Sequence, residues 1–224
     1  MARTGSAGGV PRLHLVTDDA VLSRPGFLSQ AGELLAAGGA SVALHVRGPG
    51  MPGGPLLGWA RALREPARAS GAWLVVNDRV DVALAAGADG AHLGTRSLPV
   101  AEARRLLGHS RRLGVSVHTA AEGAEAAAGG ADWIFAGTIY ETASHPGHPG
   151  LGPAFAGRVA GASAGVPALG IGGVTPGRVG EVLAAGAWGV AVIRGVWDAA
   201  DPAAALHRYL EECGTQEGNR GEHA

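Results

Sequence analysis

Eight times between residues 12 and 212 a short run of apolar, β-favouring residues is followed by a longer stretch rich in alanine and leucine, and Gly or Pro closes each piece. That alternation restricts the chain to βα units around a parallel sheet, because parallel neighbours need a crossover connection and a helix is the usual one. The strands read as 13–17, 42–47, 73–77, 90–93, 114–118, 133–137, 168–172 and 189–193. The helices read as 28–37, 57–69, 80–86, 100–107, 121–128, 154–162, 178–185 and 202–212. One phrase recurs as AAGGASVAL at 36–44, AAGADGAHL at 85–93 and AAGAWGVAV at 184–192, and reads as helix end, glycine, then buried strand. Eight units of about 25 residues fit a compact barrel. The first strand lacks the G-x-G-x-x-G turn of a dinucleotide-binding open sheet. The expectation is therefore a single-domain α/β protein, a closed (β/α)8 TIM barrel over 12–212, with a flexible start at 1–11 and a flexible, polar tail at 213–224.

Composition narrows the chemistry. The net charge is −1, so no electrostatic reason exists to expect nucleic acid or an anionic membrane as partner. All 18 basic residues are arginine, and a chain without lysine has no internal Schiff base, no pyridoxal-phosphate anchor and no P-loop lysine. Cys213 is the single cysteine, which argues against intramolecular disulfides and thiolate zinc and suits a reducing compartment. No apolar stretch approaches the length of a membrane span, and the expected location is the cytoplasm. A small-molecule ligand is the expected partner, with a homo-oligomer left open.

In a barrel of this kind the site lies at the C-terminal ends of the strands. Polar residues collect there: Thr17-Asp18-Asp19, His45 and Arg47, Asn77-Asp78-Arg79, Thr95-Arg96-Ser97, Ser116 and His118, and the segment from Thr138 to His148. Gly172 and Gly173 after strand seven, with Ile193 and Arg194 after strand eight, stand where barrel enzymes commonly hold phosphate with backbone N–H groups. The longest connection, 138–153, carries Thr142, Ser144, His145 and His148, and reads as a loop closing over an anionic substrate. Its His-x-x-His spacing does not read as a metal site, since Pro and Gly deny it helical geometry and no third ligand is near. His118 and His45 end their strands, where an imidazole can exchange protons near neutral pH, whereas His14, His92, His109, His207 and His223 read as structural or surface residues.

LHLVTDD, the HVR of strand two, VNDRVDVALAAGADGAHLG, GVSVHT, GTIYETASHPG, GIGGVTPGRV and AAGAWGVAVIRGVW together resemble the thiamine phosphate synthase and TenI family of (β/α)8 barrels, from about Leu13 to Leu210. The synthase branch joins a pyrimidine methyl pyrophosphate to a thiazole phosphate and releases pyrophosphate with Mg²⁺. Its pattern implies Arg-x-Lys after strand two, Asn-Asp after strand three, a second metal-binding Asp after strand four and Thr-x-Thr-Lys after strand six. Here Arg47 is followed by Gly48-Pro49, Asn77-Asp78 is intact, Ser97 stands in place of the second Asp, and the loop reads Thr142-Ala143-Ser144-His145. Two lysines and a carboxylate are missing, and Arg194 lies where the family often has a small residue.

The TenI branch, which aromatises a carboxythiazole phosphate tautomer by moving a proton and needs no metal, looks closer through His45-Val46-Arg47, Ser116-Val117-His118 and Glu141-Thr142. The position of its catalytic histidine is Thr138 here. The resemblance thus implies a thiazole tautomerase-like isomerase without cofactor. It would use His118 and His145 as acid–base groups, with His45, Arg47, Asn77, Asp78 and Thr138 at the substrate. Thr142, Ser144, Gly172, Gly173, Ile193 and Arg194 would hold the phosphate. The alternatives are the Mg²⁺-dependent synthase and a catalytically silent binder of a phosphate ligand.

Overall fold

The computed structural model describes residues 9–142, 147 and 149–220. Eight parallel strands, β1 (Leu13–Val16), β2 (Val42–Val46), β3 (Trp73–Asn77), β4 (Gly90–Leu93), β5 (Arg112–Val117), β6 (Trp133–Gly137), β7 (Ala168–Ile171) and β8 (Gly189–Val192), close into a barrel in sequence order. Closure is made by β1 pairing with β8, Leu13 opposite Val190. The helices around it are α1 (Asp19–Leu22), α2 (Phe27–Gly38), α3 (Gly53–Ser70), α4 (Val80–Ala86), α5 (Val100–Leu107), α6 (Ala120–Ala128), α7 (Pro153–Ala162), α8 (Pro176–Ala184), α9 (Arg194–Trp197) and α10 (Pro202–Arg220).

Local chemistry starts and stops these pieces. Thr119 caps α6 by accepting from the Glu122 amide at 3.1 Å, and Asp18 caps α1 by accepting from the Val21 amide at 2.8 Å. Proline opens α7 and α8, where its missing N–H costs nothing. Gly87 ends α4 at φ 66° and turns the chain into β4.

Both faces of every strand are covered, so the apolar residues divide into two layers. One packs between sheet and helices and includes Leu13, Leu15, Leu44, Val46, Leu74 and Val76. The other fills the barrel itself with Val16, Val75, Trp133, Phe135, Leu169 and Ala191. His14, His45 and His92 share that interior, each with its ring centroid within 6.0 Å of Trp133 and 5.3 Å of Phe135.

Two expected boundaries move. Val10 and Pro11, assigned to a flexible start, are buried, and the Val10 carbonyl accepts from the Trp188 indole at 2.9 Å, so they close the barrel floor. Helix α10 continues past Glu212 to Arg220, because Cys213 is still packed against the core and its carbonyl accepts from Arg12 at 2.9 Å.

Candidate active site

Strand β3 ends on Asn77, and the chain leaves it through Asp78 at φ 63°, a left-handed conformation that aspartate tolerates better than most residues. The turn swings the carboxylate over to the loop after β4. There Asp78 Oδ1 accepts from the Gly94 amide at 2.9 Å and from the Ser97 hydroxyl, while Gly94 also donates to Ser97 Oγ at 2.9 Å. A Cβ on Gly94 would lie 2.9 Å from Asp78 Oδ1, so this approach needs glycine. Asp78 Oδ2 accepts from no described residue.

Beside it, Thr17 fixes the end of β2. Its hydroxyl lies 3.1 and 2.9 Å from the carbonyls of His45 and Arg47 and accepts from the Arg47 amide at 2.8 Å. The half-buried Arg47 guanidinium makes no hydrogen bond or ion pair with a described residue.

Across the mouth, after β6 and β7, the backbone makes the second feature. Tyr140 donates its amide to the Gly172 carbonyl at 3.0 Å and its hydroxyl to Glu181 at 2.8 Å, and Arg178 lies 4.3 Å from its ring. The loop after β6 is thereby laid on the turn after β7. Gly172 (φ 101°) and Gly173 (φ 63°) form that turn, and a Cβ on them would strike Thr138 Cγ2 at 2.5 Å or the Glu141 carbonyl at 2.7 Å. Their amides donate to no described residue. Thr142 beside them is half-buried, and its Oγ1 is buried without a partner among the described residues.

His118 stands exposed at the end of β5, its amide held by Glu122 at 2.7 Å and its Nδ1 2.8 Å from the Gly137 carbonyl. A carbonyl only accepts, so Nδ1 carries a proton, and Nε2 is the nitrogen left to exchange one at the mouth.

Several expected roles change. His45 does not reach the mouth: it is fully buried, with Nε2 2.8 Å from His14 Nδ1 and Nδ1 2.9 Å from the Asn77 carboxamide. Burial pushes its pKa down to about 4 and outweighs the opposing hydrogen bond to Asn77, so it is neutral and not a direct substrate ligand. The exposed Arg194 guanidinium turns to Asp18 at 3.5 Å and Asp198 at 3.3 Å, two carboxylates that compete with a phosphate for it. Ile193 packs into the barrel interior, and only the backbone at Ile193 and Arg194 opens α9 toward the mouth. Ser144, His145 and His148 lie outside the described residues. Ser97, read as standing in place of a second aspartate, proves to be a partner of Asp78, and Thr17 and Gly94, present in the quoted motifs but given no role there, join the site.

A family model described as thiamine monophosphate synthase matches residues 13–196. The chain belongs to this thiamine monophosphate synthase and TenI family. It is 43% identical over 194 residues to the thiamine-phosphate synthase of Methanoculleus marisnigri, covering 86% of this chain and 90% of that protein. It is 53% identical over 155 residues, 68% of this chain, to the thiamine biosynthesis bifunctional protein ThiM/ThiE of Symbiobacterium thermophilum, but spans only 32% of that longer protein. Among solved structures, the thiamine phosphate pyrophosphorylase from Pyrococcus furiosus superposes with a TM-score of 0.78 at 29% identity, covering 91% of this chain and 96% of that one.

The family implies Mg²⁺. No group of three or more His, Cys, Asp or Glu side chains able to hold a metal occurs among the described residues. Asp78 Oδ2 and the Ser97 hydroxyl nevertheless fit the usual habit of Mg²⁺, which takes one or two carboxylates, keeps several waters and completes its shell with substrate phosphates. No described helix is long and apolar enough to cross a membrane.

Proposed function

We propose that the chain is a thiamine-phosphate synthase, coupling a pyrimidine methyl pyrophosphate to a thiazole phosphate with release of pyrophosphate. The observation that carries this reading is the presence of two separate anion-handling features on opposite sides of one mouth. Asp78, Ser97 and Arg47 lie at β2 to β4, and the Gly172-Gly173 turn lies at β7, four strands from β3 in a closed ring of eight. A reaction between a pyrophosphate and a phosphate needs both; the carboxythiazole phosphate also carries two anionic groups, but the Asp78 carboxylate held by Ser97 suits a cation-bound pyrophosphate and repels a bare substrate carboxylate. The synthase names carried by the relatives support the same reading over the tautomerase that the loop sequence suggested.

In the reaction the methylene carbon exchanges its bond to a pyrophosphate oxygen for a bond to the thiazole nitrogen. The leaving oxygen keeps the electron pair of the broken bond, and the nitrogen lone pair makes the new one. No proton has to be removed. The chain's task is to hold the two partners in line and to neutralise the departing charge. Arg47, a permanent cation with no carboxylate partner among the described residues, faces that charge from the end of β2. When bound through Asp78 and Ser97, Mg²⁺ would supply further neutralisation of the pyrophosphate. The free amides of Gly172 and Gly173, with the Thr142 hydroxyl, would take the thiazole phosphate.

One observation favours the isomerase as a second reading: the Nε2 of His118 is the nitrogen left to exchange a proton at the mouth. Growth separates the two. Expressed in a bacterium lacking its thiamine-phosphate synthase, the chain should restore growth without thiamine, and its Asp78→Ala variant should not. Soluble expression without growth would overturn the synthase reading.

A further inference from the structure

Three polar contacts cross the barrel in one line from floor to mouth. His14 Nε2 lies 3.0 Å from the Pro11 carbonyl, His14 Nδ1 lies 2.8 Å from His45 Nε2, and His45 Nδ1 lies 2.9 Å from the carboxamide oxygen of Asn77. Both rings are fully buried, wedged against Trp133 and Phe135.

Each contact needs one proton between its two atoms, and two neutral imidazoles carry two. With a carbonyl at one end and a carboxamide oxygen at the other, the line is one proton short. A third proton would make a buried cation, and among the described residues no carboxylate touches either ring to offset it. Burial holds both rings well below the ordinary imidazole range, so at neutral pH the line keeps two protons. The Pro11 carbonyl cannot donate, and two bare ring nitrogens 2.8 Å apart would repel. Only the Asn77 end can adjust, because a half-turn of its last torsion exchanges oxygen and nitrogen and leaves everything else in place.

We propose that His14 and His45 are positioning residues which, both as Nε2–H tautomers, hold the Asn77 carboxamide with its nitrogen donating to His45 Nδ1 and its oxygen turned to the mouth. The other terminal atom of Asn77 has no partner among the described residues and is not enclosed, so it is the atom a ligand meets. Asn77 therefore presents an acceptor and selects a heterocycle carrying an N–H donor over β3. The choice of heterocycle rests on the synthase reading; the tautomers and the carboxamide orientation do not.

Long-range proton–nitrogen correlation of the imidazole rings in the uniformly ¹⁵N-labelled full chain at pH 7.5 tests the assignment. Lines that vanish in His14→Phe and in His45→Phe identify the two rings. Each should show a protonated Nε2 and an imine-type Nδ1, and a proton on His45 Nδ1, alone or together with one on Nε2, would overturn the proposal. If a variant fails to fold, the through-space contacts of His14 with Pro11 and of His45 with Asn77 identify the two rings in the wild-type spectrum. In the coupling reaction, His14→Phe should raise KM about tenfold for an aminopyrimidine methyl pyrophosphate with kcat within about twofold, the scale of one misplaced hydrogen bond. The analogue with hydrogen in place of the amino group should be unaffected. Equal losses on both substrates would mark a merely structural role, and no loss on either would contradict the orientation. Turnover of neither pyrimidine by the wild type would instead remove the synthase reading and leave the nitrogen spectrum to decide the tautomers.

Discussion

Ser97 and Asp78, 19 residues apart on neighbouring loops, meet at the barrel mouth, where the hydroxyl donates to the same carboxylate oxygen that takes the Gly94 amide. The pair leaves Asp78 Oδ2 and one lone pair on Ser97 for a cation. Ser97→Asp puts a second carboxylate there and should lower the Mg²⁺ concentration needed for half-maximal pyrophosphate release several-fold. Asp78→Asn should cut the rate by two orders of magnitude or more, on the scale of losing a key electrostatic group. Magnesium titrations of the three proteins check this, and superimposable curves would contradict it.

The turn at Gly173 makes a second, independent prediction. Alanine there would have to accept φ 63° and a Cβ 2.7 Å from the Glu141 carbonyl. The substitution should destabilise the fold by about 2 kcal/mol, from left-handed strain and the forced shift of the loop. Urea denaturation reads the first effect, and weaker binding of inorganic phosphate in calorimetry reads the displacement of the amides from the turn. Unchanged stability with unchanged phosphate affinity would mean the loop does not lie on this turn.

The buried histidines fix the acid limit of stability. His45 is lowered from 6.5 to about 4, and His14 and His92 are also lowered well below the ordinary imidazole range, all chiefly by burial. The unfolded chain therefore takes up protons below pH 6.5 that the folded chain refuses, so stability falls as pH drops and the loss from His45 is complete only below about pH 4. From pH 7.5 to pH 5 the His45 ring alone should cost about 2 kcal/mol, and the other two add in the same direction. Denaturation midpoints at the two pH values check this, and a flat profile would contradict it.

The barrel was legible because each strand is a short apolar run closed by a turn residue, and β3, β4 and β6 fall on the residues expected. Helices α1 and α9 were not, since four residues hold barely one turn and show no periodicity. Helix α3 begins at Gly53, four residues before its expected start, because a Gly-Gly-Pro opening resembles a loop. At the site, Asn77-Asp78 and the two glycines could be read from motif and position. The fate of His45 could not: a strand covered on both faces shows no alternation to tell barrel interior from helix side. Only the register, which sets Val16 against His45 and His14 against Ala43, puts His14, His45 and Asn77 in one line. Arg194 misled for a related reason, as its partners Asp18 and Asp198 cap the two short helical turns that the pattern hides.

The most direct test of the account follows pyrophosphate and absorbance in parallel with purified protein. One reaction holds the pyrimidine methyl pyrophosphate, the thiazole phosphate and Mg²⁺, and the other holds the carboxythiazole phosphate tautomer alone. The account predicts one pyrophosphate for each thiazole phosphate consumed, only when both substrates are present, and its loss in Asp78→Ala. Rapid aromatisation of the tautomer, abolished in His118→Ala, with no pyrophosphate from the first mixture would contradict it.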